Sequence, residues 1–139
     1  MTGRPELVGT FGAVTSTHWL ASSAGMSILE QGGNAFDAAV AAGFVLQVVE
    51  PHSNGLGGDL SVVLHEARSG RTQVICGQGP MPRAATEECF QDLGLSQIPG
   101  SGLLPACVPG AFGGWLRLLA EFGTKRLGQV MEAAIGYAE

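Results

Sequence analysis

Residues 32–59 decide the fold of this chain, and they read GGNAFDAAVAAGFVLQVVEPHSNGLGGD. Asn34 has the side chain of a helix N-cap, and Asp37 follows in the first turn, near the positive end of the helix dipole. Between Ala35 and Val49 only Asp37 and Gln47 are polar. A helix that is apolar on all sides is buried, so we predict that this helix lies at the centre of a core.

The predicted helix runs directly into a turn that is dense in glycine. Glycine lets the backbone approach a ligand or another backbone closely, so two interpretations stay open: a tight crossover, or a turn that shapes the wall of an active site. A phosphate-binding loop is disfavoured because the turn contains no lysine and leads from a helix into a strand. The residues assigned to this site-shaping turn are His52, Ser53, Gly55, Gly57 and Gly58.

His52 also raises the hypothesis of a general base oriented by the nearby carboxylate of Glu50. A histidine in a turn is more often a structural hydrogen-bonding group, and that alternative stays open as well.

Hydrophobic periodicity and turn residues predict the other elements. We expect a hairpin of two strands, helices on both sides of it in the sequence, and a loop rich in glycine and proline after it. The predicted ranges are a strand over 11–17, a helix over 18–31, strands over 60–66 and 71–76, a loop over 77–85, a helical turn over 86–90, and helices over 109–122 and 127–138.

The composition bounds the class of protein. The chain has 139 residues, of which 45% are hydrophobic and 14% are charged, against about 25% charged in an average soluble domain. This low charge predicts a surface covered by more chain, a partner subunit or a symmetry mate, with a very well buried small domain as the alternative.

The charge pattern argues against two kinds of partner. The net charge is −5 and the basic residues are scattered, so we predict no nucleic-acid partner. The longest apolar run, residues 38–49, is interrupted only by Gln47 and is shorter than the roughly 20 residues that span a bilayer. The N-terminus has no apolar stretch typical of a signal peptide, so we expect a cytoplasmic protein without membrane partners.

Three cysteines, Cys76, Cys89 and Cys107, are widely spaced and odd in number. Their spacing fits neither a Cys-x-x-Cys motif nor a zinc site. We therefore predict reduced thiols that are mostly buried, and no metal or cofactor.

Taken in order, the motifs resemble the N-terminal part of the gamma-glutamyltranspeptidase family, within the N-terminal-nucleophile hydrolases. The resemblance runs from about Phe11 to Glu139. Its motifs are THWLAS from Thr17, the GGNAFDAAVAA block, EPHSNGLGGD, the hairpin, the proline-rich loop that ends at Thr86, and VPGA at 108–111.

The resemblance implies an α+β chain that is part of a four-layer αββα fold, rich in helix and with a β-hairpin. In that family a precursor cuts itself into a large and a small subunit. The threonine freed at the start of the small subunit attacks a γ-glutamyl amide such as glutathione, and the acyl group passes to water or an amino acid.

The resemblance also implies how this chain fits such an enzyme. Residues 1–139 would form one incomplete domain at the start of the large subunit, with no catalytic residue, and would be inactive alone. The implied partners are a small-molecule acyl donor, the remainder of the enzyme or a second subunit, and in addition a second copy in a homo-oligomer.

Two candidate substrate-binding residues, Gln78 and Arg83, follow the hairpin. The family usually places an arginine here that holds the substrate α-carboxylate, and counting back from Thr86 puts Gln78 at its position. Glutamine offers a hydrogen bond without charge, and Arg83 would substitute only if the loop folds back. Gamma-glutamyl specificity therefore stays open beside two alternatives: a related acylase or amidohydrolase with another acyl group, and a non-catalytic module that self-associates.

Overall fold

Five helices and one antiparallel hairpin make up the part of the chain that the computed structural model describes, which is Glu6 and residues 8–139. This confirms the predicted helix-rich α+β class with a hairpin. The elements are α1 Trp19–Glu30, α2 Ala35–Val49, β1 Ser61–Glu66, β2 Arg71–Cys76, α3 Glu87–Asp92, α4 Ala111–Phe122 and α5 Leu127–Ala138.

The chain forms two compact units. One unit contains the residues up to Asn54 together with Leu118–Glu139, and the other contains Gly55–Arg117. The prediction that residues 1–139 belong to one incomplete domain stays a prediction.

Helix α2 is the centre of the first unit, as its apolar sequence predicts. Both α1 and α5 pack on it, and most of its residues from Asp37 to Val45 are buried. Its start is a capping box: Asn34 Oδ1 accepts from the backbone N–H of Phe36 and Asp37 at 2.9 and 3.0 Å, and Asp37 Oδ2 accepts from Asn34 N–H at 2.8 Å. The box satisfies backbone donors that a helix start otherwise leaves unpaired.

Asp37 also joins α2 to the connection between α4 and α5. Its side chain is 0% exposed, and it accepts hydrogen bonds from the backbone N–H groups of Thr124 and Lys125 and from the Thr124 hydroxyl. Asn34 Nδ2 adds a bond to the Phe122 carbonyl at 2.7 Å. Burial raises the pKa of Asp37, but the hydrogen bonds from Asn34, Lys125 and Thr124 outweigh that effect and hold the pKa below its ordinary value.

The hairpin dominates the second unit. Strands β1 and β2 pair antiparallel from Ser61 opposite Cys76 to Glu66 opposite Arg71. Because side chains alternate between the two faces of a strand, Leu64 and Ile75 are buried on one face. The paired Val63 and Val74 lie on the other face, where they are 75% and 69% exposed.

The predicted strand over 11–17 is wrong. These residues form no regular element, although their exposure alternates along the chain as it does in a strand with one covered face. A strand exists only by hydrogen bonding to a neighbouring strand, and in the described part of the chain the only ladder joins β1 to β2. The local β propensity of residues 11–17 therefore has no partner here.

The prediction of mostly buried thiols is also wrong. Cys76, Cys89 and Cys107 are free, and all three are exposed. Cys76 falls on the open face of β2, Cys89 on the outer side of the short helix α3, and Cys107 in the loop before α4. Their positions follow from the elements around them, which outweigh the apolar character of the thiol.

Within the described residues, no helix combines the length and apolar character needed to cross a membrane. Over the same residues, no group of three or more histidine, cysteine, aspartate or glutamate side chains is arranged to hold a metal ion.

Candidate functional site

The first half of the glycine turn is a compact bend at the end of α2. The Glu50 carbonyl accepts hydrogen bonds from the backbone N–H groups of Ser53 and Asn54 at 3.0 and 3.2 Å, and Asn54 Nδ2 bonds to the same oxygen at 3.0 Å. His52 and Ser53 are both exposed on this bend. The Glu50 carboxylate accepts the hydroxyl hydrogen of Thr17. A catalytic role for His52, with Glu50 as its orienting group, stays a prediction.

The second half of the turn, Gly55–Gly58, belongs to the other unit. It closes with a bond from Gly58 N–H to the Gly55 carbonyl at 3.1 Å. None of Gly55, Gly57 and Gly58 has the left-handed backbone conformation that favours glycine. A Cβ atom on Gly57 would meet nothing within 4 Å, so the absence of a side chain leaves open space beside the turn.

The Gly58 carbonyl provides a hydrogen-bond acceptor for backbone N–H groups at the start of α4. It accepts from the backbone N–H groups of Gly110 and Ala111 at 3.1 and 3.0 Å. The first N–H groups of a helix have no partner within the helix, so this carbonyl replaces a side-chain cap. The turn therefore packs backbone against backbone, as the crossover interpretation predicts.

Gly58 is one member of a cluster of four glycines in the second unit, Gly58, Gly77, Gly79 and Gly110, which we call the glycine junction. Gly77 extends the hairpin by one pair, because its N–H bonds to the Leu60 carbonyl at 2.6 Å and its carbonyl accepts from Leu60 N–H at 3.3 Å. The junction thus brings together the turn, the end of the hairpin and the start of α4.

Gln78 lies between two glycines of this junction. Its side chain is exposed, whereas Gly77 is buried. Two residues on, the Pro80 carbonyl accepts from Val108 N–H at 2.9 Å. Hydrogen bonds therefore hold the backbone on each side of Gln78, and its exposed side chain is accessible to a ligand.

Arg83 follows on the same loop and is also exposed. It lies in a turn closed by a bond from Ala85 N–H to the Pro82 carbonyl at 2.9 Å. Thr86 then caps α3 by accepting from Cys89 N–H at 3.3 Å. The structure thus places both candidate substrate-binding residues on the loop predicted for them, and their role in binding stays a prediction.

The structure adds groups that sequence reasoning missed. In the sequence the VPGA motif is only one part of the family resemblance, yet Val108 and Gly110 contact the segment around Gln78. The only sequence signal for this contact is the glycine in both segments, Gly77 and Gly79 on one side and Gly110 on the other. A linear pattern does not show which loops meet.

A shallow depression of about 660 Å³ lies beside α3 in the same unit. Ala85, three residues of α3 and the segment 94–98 line it, with Phe90, Leu95 and Ile98 as its apolar part. Neither Gln78 nor Arg83 contributes to this lining, so the depression and the predicted substrate residues are separate features.

Comparison with known proteins places the sequence in a family. The family model described as gamma-glutamyltranspeptidase matches residues 21–139. A glutathione hydrolase-like YwrD proenzyme from Bacillus subtilis is 41% identical over 96% of this chain. The acylase ACY 1 proenzyme from a Pseudomonas species is 42% identical over 94% of this chain.

Solved structures agree with the fold. The structure of LmbA2991HD superimposes on all of this chain with a TM-score of 0.91 and 53% identity, and the chain covers 24% of it. The gamma-glutamyltranspeptidase of Helicobacter pylori superimposes on 97% of this chain with a TM-score of 0.86 and 38% identity, and the chain covers 39% of it. This likeness confirms the predicted fold as part of the N-terminal-nucleophile hydrolase architecture.

The two curated relatives are much longer than this sequence, which spans 25% of the length of each. The family match nevertheless covers most of the chain, including the capping box, the glycine turn, the hairpin and the VPGA segment. The chain belongs to the gamma-glutamyltranspeptidase family.

Proposed function

We propose that this chain is the first part of the large subunit of an enzyme that cleaves the amide bond of a small acyl donor. A threonine at the start of a second subunit would act as the nucleophile. The proenzyme character of the relatives supports this reading, as does the family match over residues 21–139.

The proposed reaction has two steps. The threonine hydroxyl adds to the amide carbonyl while its own α-amine takes the proton, the C–N bond breaks, and the amine leaves with that proton. Water or the amino group of an amino acid then attacks the resulting ester and releases the threonine. Backbone N–H groups aimed at the carbonyl oxygen would stabilise the negative charge that develops.

The position of Gln78 is the observation that supports assigning this chain to the part of the active site that binds the acyl donor. It is exposed and stands on backbone held at Gly77 and Pro80. A γ-glutamyl donor presents a free α-carboxylate and α-amine, and the amide of Gln78 can hydrogen-bond to the carboxylate. A γ-glutamyl amide is therefore the first candidate substrate.

The neutral side chain of Gln78 also favours a second candidate. Arginine binds a carboxylate through two charge-assisted hydrogen bonds, and glutamine lacks both the charge and the fork of donors. An acyl group without a free α-carboxylate would bind no less tightly beside Gln78 than beside an arginine. An acylase or amidohydrolase that takes such a group is the alternative, and the similarity to acylase ACY 1 supports it.

Two measurements test the proposal on the protein as its own cell makes it. Intact-mass spectrometry under denaturing conditions should find a second polypeptide that begins with threonine. Hydrolysis should then be compared for γ-glutamyl and 4-aminobutanoyl p-nitroanilides, because these two donors differ only in the α-carboxylate.

A higher kcat/KM for the γ-glutamyl donor supports the first candidate, and equal or higher kcat/KM for the 4-aminobutanoyl donor supports the second. A single polypeptide of 14.3 kDa that hydrolyses neither donor would overturn the proposed function.

A further inference from the structure

The segment that carries Gln78 is anchored at both ends within the second unit. On one side, Gly77 pairs with Leu60 through two backbone hydrogen bonds of 2.6 and 3.3 Å. On the other side, the Pro80 carbonyl accepts from Val108 N–H at 2.9 Å. Only Gln78 and Gly79 lie between these anchors, and of the two only Gln78 has a side chain.

The same segment is packed so closely that two of its contacts exclude any side chain. A Cβ atom on Gly79 would lie 1.5 Å from the carbonyl oxygen of Val108. A Cβ atom on Gly110 would lie 2.1 Å from the carbonyl oxygen of Gly77. Both obstacles are backbone atoms, which cannot rotate away as the end of a flexible side chain can.

These contacts define the direction in which the Gln78 side chain leaves the chain. The Cα–Cβ direction of a residue is set by its own backbone, and here the backbone is held from Gly77 to Pro80. A displacement of about 1 Å at a binding group can cost as much as about 100-fold in rate. The precise placement of Gln78 therefore depends on residues that have no side chain to touch a substrate.

We propose that Gly79 and Gly110 are positioning residues, which act through Gln78 on the specificity for the acyl donor. The proposal rests on the function proposed above, in which Gln78 contacts the donor. It adds that the VPGA segment, residues 108–111, is part of the specificity apparatus although it supplies no substrate contact.

The main test compares Gly79→Ala with Gly100→Ala in the complete enzyme. Gly100 is a loop glycine of the same unit, and a Cβ there would meet nothing within 4 Å. We expect Gly79→Ala to raise KM for the preferred p-nitroanilide by about 10-fold or more, with a smaller effect on kcat. Gly100→Ala should leave both constants within about two-fold of wild type.

A double-mutant cycle with Gln78→Ala separates positioning from general damage. If Gly79 acts through Gln78, then adding Gly79→Ala to the Gln78→Ala enzyme should raise KM by less than about two-fold, because there is no longer a side chain to aim. An equal KM increase in both backgrounds would overturn the positioning role and leave the proposed function intact.

Failure of Gln78 as a donor contact can be distinguished from failure of the proposed function. If Gln78→Ala changes neither KM nor the ratio between the two donors, Gln78 is not a donor contact, and the positioning role falls with it. If the wild-type enzyme hydrolyses no amide donor, the proposed function itself fails.

A second variant covers the case in which Gly79→Ala does not fold. Val108→Pro removes the N–H that bonds to the Pro80 carbonyl and puts the proline ring Cδ beside that oxygen, so it disturbs the same anchor without a side chain on Gly79. Circular dichroism and the melting temperature should first establish that this variant is folded. We expect it to shift KM in the same direction and to lose that effect in the Gln78→Ala background, and a folded variant with unchanged KM would contradict the proposal.

Discussion

Thr124 binds Asp37 with both its backbone and its side chain. The Thr124 N–H donates to Asp37 Oδ1 at 2.8 Å and its hydroxyl donates to Oδ2 at 2.7 Å, across 87 positions of sequence. Together with the bonds from Asn34 and Lys125, these contacts occupy both oxygens of a fully buried carboxylate. The aspartate of the most recognisable motif in the chain is thus a structural group.

Replacement of this carboxylate should be costly. Asp37→Ala leaves the donors of Asn34, Thr124 and Lys125 without their acceptor. We expect a loss of about 2–4 kcal/mol in the free energy of unfolding, measured by urea denaturation. Asp59→Ala, at an exposed aspartate, is the matched control and should change that energy by less than about 0.5 kcal/mol. Equal effects of the two variants would contradict the structural role.

The stabilisation by Asp37 should depend on pH in the acid range. Because hydrogen bonds hold the pKa of Asp37 below its ordinary value, the folded state binds the proton less readily than the unfolded state. The contribution is fully present above the unfolded pKa of about 3.9, and it is lost as the pH falls through the lower pKa of the folded state.

Unfolding curves of wild type and Asp37→Asn between pH 6 and pH 2 test this dependence. The difference in unfolding free energy between the two proteins should be constant above the unfolded pKa and should shrink below it. A difference that stays constant over the whole range would show that Asp37 is not stabilised as an anion.

The cap of α2 should also contribute to stability. Asn34→Ala removes the acceptor for the N–H groups of Phe36 and Asp37 and the donor to the Phe122 carbonyl. We expect a loss of about 1–2 kcal/mol and faster hydrogen exchange at the first amides of α2. The control is Asn54→Ala, at an exposed turn asparagine beyond the other end of α2, for which exchange at the first amides of α2 should not change.

A positive charge at position 78 should redirect the enzyme toward γ-glutamyl donors. Gln78→Arg in the complete enzyme adds a charged fork that can bind the α-carboxylate. We expect the ratio of kcat/KM between the γ-glutamyl and 4-aminobutanoyl donors to rise by about 10-fold, equivalent to ~1.4 kcal/mol.

Gln97→Arg controls for the effect of added charge, because Gln97 is another exposed glutamine of the same unit. This variant should leave the donor ratio unchanged. If Gln78→Arg leaves the ratio unchanged or lowers it, Gln78 does not face the α-carboxylate.

The polypeptide of residues 1–139 should be inactive when it is purified alone. The proposed nucleophile is not among its residues, so hydrolysis of γ-glutamyl p-nitroanilide should not exceed the rate in buffer. Mixing in the small subunit and the rest of the large subunit provides the positive control. Hydrolysis at an enzymatic rate by residues 1–139 alone would refute the assignment of the nucleophile to another subunit.

Local sequence patterns predict the elements of this fold well where an element is determined by interactions between residues close in sequence. The Asn34 cap, the extent of α2, the hairpin and the range of α5 all match the sequence expectation. In each of these cases the decisive interactions join residues a few positions apart or follow from strong periodicity.

The failures concern interactions between distant residues. Residues 11–17 have the propensity of a strand, but no neighbouring strand pairs with them in the described part of the chain. The partner of Asp37 is 87 positions away, and the junction that holds Gln78 joins three loops. Cysteine exposure depends likewise on what packs around each thiol. Such contacts form only in the folded chain, so a local sequence pattern does not predict them.

The bond between Asp37 and Thr124 sets an order of events on the ribosome. Helix α2 is apolar and can be synthesised early, but its buried carboxylate has to wait for Thr124. At about 5–20 residues per second, the 87 residues from Ala38 to Thr124 take roughly 4–17 s. For that interval the Asp37 carboxylate of the nascent chain has only its local donor, the Asn34 N–H, and lacks the donors of Thr124 and Lys125.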